Sequence, residues 1–162
     1  MQRLGLQLGA LAMIAVLAPS LPTQAYAAQA TAAGAIDGRT SMVMIRSALI
    51  ALDQANKTGN YTVLRDLGGA AFRRNTDARL AEVFAGLRAR AVDLSPVLAV
   101  DPVLTLPPRI EATGLLRVRG FVPGQPPLAF EIAWQREDGA WKLYGIVVTA
   151  SETGPPAAPP RP

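Results

Sequence analysis

Two runs of alternating apolar residues, Leu128 to Arg136 and Ala140 to Val148, flank Asp138-Gly139, and this arrangement constrains the fold more than any other stretch of the chain. A two-residue turn needs positive φ at positions that Asp tolerates and Gly adopts freely, so the segment reads as a long β-hairpin closing a sheet. A turn at 138 and 139 pairs Trp134 with Leu143, Ile132 with Gly145 and Phe130 with Val147. In that register Glu131, Ala133 and Gln135 share the opposite face with Lys142, Tyr144, Ile146 and Val148.

The amino terminus carries Arg3, then an uncharged apolar run from Leu4 to Ala18, then Pro19, Pro22 and small residues up to Ala30. This is the pattern of a secretory signal peptide over residues 1–28, with the cut uncertain by about three residues. A retained membrane anchor needs about 20 apolar residues, and this run is shorter and ends at Pro19. No cysteine follows, which removes a lipoprotein anchor and leaves disulfides out of the stability of an exported chain. The abundance of Ala, Gly, Pro and Arg fits a bacterial protein, periplasmic or secreted.

The net charge of +4 falls by one when the leader takes Arg3 with it. The remaining Lys and Arg form no run and are not interleaved with aromatics, which speaks against a nucleic-acid partner. Neither His nor Cys occurs, so Cys–His and Ser–His–Asp chemistry is excluded, as are zinc sites using nitrogen or sulfur. The acids are too dispersed for a cation-binding loop. No metal and no cofactor is expected.

After a flexible lead-in at 29–39, Met42, Ile45, Leu49 and Leu52 recur at helical steps, with Arg46, Asp53, Asn56 and Lys57 elsewhere on the wheel, and Gly59 ends the helix. A short second helix holds Val63, Leu64 and Leu67 and stops at Gly68-Gly69. A third begins at Asn75-Thr76-Asp77 and carries Leu80, Val83, Phe84 and Leu87. Prolines at 96, 102, 107 and 108 reduce Val97 to Leu106 to an edge strand or bent fragments, and Arg109 to Val122 reads as one long strand. Residues 151–162 form a Pro-rich tail unable to pack a core. The expectation is one α+β domain at 40–150, three N-terminal helices packed on a curved antiparallel sheet of three to four strands.

This order, a long first helix, two shorter ones and a sheet ending in the Trp141-Lys142-Leu143-Tyr144-Gly145-Ile146 strand, resembles the NTF2-like, cystatin-like superfamily. Ala51-Leu52-Asp53-Gln54-Ala55-Asn56 and Tyr61-Thr62-Val63-Leu64-Arg65-Asp66-Leu67 are similar to an uncharacterised group of exported bacterial proteins within it. The resemblance implies a cone with an apolar pocket and dimerisation through the sheet, and it implies no particular reaction. Enzymes of the superfamily place an acid, often with Tyr or His, inside the cone. Here Glu131, Asp101, Tyr61 and Tyr144 are the candidates, and no catalytic pair is visible among them.

Two binding surfaces remain. Phe72, Phe84, Trp134 and Trp141 either line a pocket for a small apolar ligand or fill the core. Arg117, Arg119, Glu131, Lys142, Tyr144 and Ile146 mark an outer sheet face suited to a homodimer or a protein partner. Of these, the non-enzymatic reading through self-association or a partner is the expected function.

Overall fold

The computed structural model describes residues 36–150, so the expected leader, the first part of the lead-in and the Pro-rich tail lie outside the described residues. The architecture is α+β. Helix α1 (Gly38–Thr58) is followed by four short helical segments, α2 (Thr62–Asp66), α3 (Ala70–Arg73), α4 (Asp77–Val83) and α5 (Ala85–Ala89), and a 3-10 turn at Ser95–Leu98. The strands are β1 (Val103–Leu104), β2 (Arg109–Ile110), β3 (Leu116–Val122), β4 (Leu128–Glu137) and β5 (Ala140–Ala150). They form one antiparallel sheet in which β1 and β2 share one edge of β3, followed by β4 and β5.

Local chemistry sets the helix ends. The Asp37 carboxylate accepts from Thr40 N at 2.9 Å, starting α1 two residues before the predicted Thr40. Gly59, at φ 74°, ends it in the left-handed conformation. Thr76 caps α4 by accepting from Arg79 N at 3.1 Å, as its position before Asp77 predicts. Three helices were expected where five segments are found. The backbone tightens at Phe84, whose ring stacks on Tyr61 at 6.2 Å between centroids, and this divides the third helix into α4 and α5.

The sheet also departs from expectation in two places. Arg109 to Val122 is not one strand: Gly114, at φ 79°, closes a turn in which Glu111 N donates to Leu115 O, folding β2 back on β3. The hairpin turn itself is as predicted, with Asp138 and Gly139 both at positive φ. Trp134 pairs with Leu143, but Ala133 pairs with Gly145, so Tyr144 is an extra residue bulged out of β5. Beyond it Ile132 faces Ile146 and Phe130 faces Val148, one residue out of the expected register. Ile146 and Val148 therefore join the core, and Val147 turns outward beside Glu131.

The core lies between the helices and the sheet face carrying Leu116, Val118, Phe130, Ile132, Trp134 and Leu143, with Ile45, Leu49 and Leu52 from α1 against it. One charged residue lies within it. Asp53, 1% exposed, accepts from Leu94 N at 3.0 Å and from Lys57 Nζ at 2.7 Å. It ties the end of α1 to the segment that leads from helices to strands.

Where α2 meets the hairpin, Gly68-Gly69 form a clip rather than a simple helix stop. Leu143 N donates to Leu67 O and Gly69 N to Leu143 O, both at 2.9 Å, and Glu137 accepts from Ala70 N at the start of α3. A Cβ on Gly68 would stand 2.5 Å from the Phe72 ring and 2.9 Å from Arg65 O. Gly68→Ala is accordingly expected to lower stability by about 1–3 kcal/mol. Asp53→Leu, which orphans the Leu94 N–H and leaves Lys57 paired with Asp93 alone, is expected to cost about 2–3 kcal/mol. Both are read from urea denaturation midpoints.

Candidate functional site

The outer face of the sheet is set by the side chains that alternate away from the core. On β3 these are Arg117 and Arg119, and on β4 Glu131 stands directly beside Arg119. Arg117 Nε donates to Glu111 Oε1 at 2.8 Å and its Nη1 also bonds Glu131, while Arg119 Nε donates to Glu131 Oε2 at 2.7 Å. Four charges thus form an alternating ladder from Glu111, just after β2, across β3 to β4. Partial burial pulls the Glu131 carboxyl upward, but the hydrogen bonds from Arg119 and Arg117 outweigh it and hold the group below its ordinary range. Every ladder charge has an opposite partner within the same chain.

The other expected members of this face divide. Lys142 pairs with Gln135 at the turn end of β5 and is half-buried. Tyr144, pushed out by the bulge, is 44% exposed and Val147 is 59% exposed. Ile146 is not on the face at all, because the one-residue bulge moves it to the core side. Val147 takes its place. Gly145, isolated within a strand, was the sequence signal that marks such a bulge.

The aromatic set does not outline a pocket. Phe72, Phe84 and Trp134 are buried members of the core cluster, and Trp141 is half-buried with the Arg136 guanidinium 5.3 Å from its ring centroid. Among the described residues, two larger clefts lie elsewhere. One, about 410 Å³, opens between the residues following α5, the 3-10 turn and the β3–β4 loop, and is lined by Arg90, Val92, Asp93, Pro96, Pro126 and Leu128, with Ala150 at its edge. The other, about 440 Å³, is a groove on α1 and α2 lined by Ile50, Ala51, Gln54, Val63 and Leu67. None of the four predicted aromatics lines either cleft.

The acids and hydroxyls considered for catalysis are scattered. Asp101 is exposed and paired with Arg46. Glu131 belongs to the ladder. Tyr61 is fully buried, donating to Asn56 Oδ1 at 2.7 Å and accepting from Arg88 at 3.3 Å, and burial raises its phenol above the ordinary value against the neighbouring Arg88 charge. Among the described residues no three His, Cys, Asp or Glu come together as metal ligands, and no helix is long and apolar enough to cross a membrane.

A second polar cluster escaped the sequence reading. Lys57 Nζ bridges Asp53 and Asp93, each at 2.7 Å, and Asp93 in turn accepts from Ser95 N and Ser95 Oγ. Asp93 also lines the 410 Å³ cleft, so the network that holds the 3-10 turn forms part of a cleft wall. The Asp53 to Lys57 spacing of four along α1 was the available signal, and the third member, remote in sequence, had none.

No protein family, curated protein or solved structure matches the chain.

The Lys57 hydrogen bond, then those from Ser95, bring the Asp93 carboxyl down to about 2 from its ordinary value of 3.8. A lowered carboxylate contributes stability that is complete above 3.8 and disappears as pH falls through about 2. Lys57→Met is expected to weaken that acid dependence, seen as a flatter melting-temperature profile between these two pH values than in the parent.

Proposed function

We propose that the chain is an exported, non-enzymatic NTF2-like domain, a cone of helices on a curved sheet, that acts in the periplasm or outside the cell by self-association or by binding a protein partner through its sheet. The observation that carries this reading is the exposure of Tyr144 and Val147 on β5, beside a charge ladder that is already neutralised within the chain. Apolar side chains in such a row gain free energy when another surface covers them, at about 25 cal/mol per Å² of apolar area. The absence of His and Cys from the chain, and the pairing of its clustered carboxylates with Lys57 and with Arg117 and Arg119, favour association over catalysis.

Sedimentation velocity of the chain purified from its own cells tests the reading. A sedimentation coefficient that rises with concentration, or a co-purifying protein lost on Tyr144→Lys, is the expected result. A monomer at every concentration, with no protein cross-linked to it in the cell, would overturn it.

A second reading, a binding module for a small apolar ligand, is favoured by the 410 Å³ cleft, whose size suits such a molecule and whose wall combines Val92, Pro96 and Leu128 with Arg90 and Asp93. Native mass spectrometry would then show an added mass that leaves on denaturation.

A further inference from the structure

The edge of β5 is closed over half its length and open over the rest. Thr105 N donates to Arg119 O, so the backbone groups of Arg119 point to β1, and alternation directs those of Glu131 toward β5. Val147, opposite Glu131, therefore bonds β4, while Ile146, Val148 and Ala150 direct their N–H and C=O away from the sheet. Leu143 obeys the same rule, and its outward groups are taken by Leu67 and Gly69. Beyond the bulge no strand among the described residues pairs with this edge. Natural sheets blunt an open edge with Lys, Pro or a covering element, and Ile146-Val147-Val148-Thr149-Ala150 has neither residue.

Resting on the association reading above, we propose that this segment pairs antiparallel with the same segment of a second copy, about a two-fold axis through Val148, joining two sheets into one. Ile146 then faces Ala150 of the second copy, Val148 faces its own counterpart, and all three outward-facing residues of each chain exchange hydrogen bonds. Val147 lies across from Thr149 on the outer face.

Two observations fit an identical copy rather than a foreign strand. From Leu143 to Ala150 the strand has no formal charge, so two copies meet without like-charge opposition, and there is no charge to select a different strand. The nearest ladder charge, Glu131, is tied to Arg117 and Arg119 of its own chain. Because the axis stands perpendicular to the sheet, both sets of helices lie on one face of the joined sheet.

The test is hydrogen exchange of the chain as its cell makes it, across a concentration series, together with paired charge variants. Amides of Ile146, Val148 and Ala150 are expected to become protected as the dimer forms. V147K/T149K and V147E/T149E, which alter exposed side chains only, place like charges opposite each other twice and are each expected to weaken the dimer by about tenfold or more, while their equimolar mixture restores it. A dimer in which these three amides stay unprotected would overturn edge pairing and leave self-association through the sheet face standing. A monomer at all concentrations would overturn edge pairing and self-association together, leaving partner binding as the remaining reading.

Discussion

One extra residue in β5 determines the rest of the sheet. Because backbone alternation has a period of two, the bulge at Tyr144 exchanges the faces of everything after it: Ile146 and Val148 fill the core beneath α1, and Val147 is left outside. Without the bulge the core would lose two β-branched side chains and the outer face would gain them. The same residue marks where the Gly68-Gly69 clip ends and the unpaired edge begins. Core composition, outer-face chemistry and edge exposure thus share a single cause.

The helical layer depends on a different device. α1 is long enough to carry its own apolar stripe, but the short segments after it bury few residues each and need tertiary anchors. Tyr61 and Phe84 supply one such anchor by stacking, Glu137 another by capping α3 from the hairpin, and Asp53 a third by holding the backbone of Leu94. Each connects residues far apart in sequence. The buried carboxylate carries most consequence, since its removal leaves a donor without water or partner at the junction of the two layers.

What was legible in the sequence was the chemistry of ends and turns. Thr76, Gly59 and Asp138-Gly139 act through neighbours within a few residues, and the structure has them as read. Gly114 carried the same kind of signal, yet the apolar pattern on either side read as continuous strand. Asp53 looked like a polar-face residue because residue type was weighed above position, although it stands four residues after the buried Leu49. The aromatic set shows the other limit: size and hydrophobicity predict burial but cannot distinguish a pocket lining from a core filling. The outer-face set was legible as Arg117, Arg119, Glu131, Lys142 and Tyr144, and the exchange of Ile146 for Val147 followed from a bulge whose sole local trace is Gly145.

The position of β5 has a consequence for the order in which the molecule can come into being. Leu143, Ile146 and Val148 are supplied by the last described strand, while the clip that receives Leu143 and the α1 residues they cover lie about 75 to 100 positions earlier in the chain. A chain emerging amino end first holds its helices over an incomplete floor until that strand arrives. Completion of the core is therefore a late, long-range event, and the helices stay loosely packed until β5 has been made.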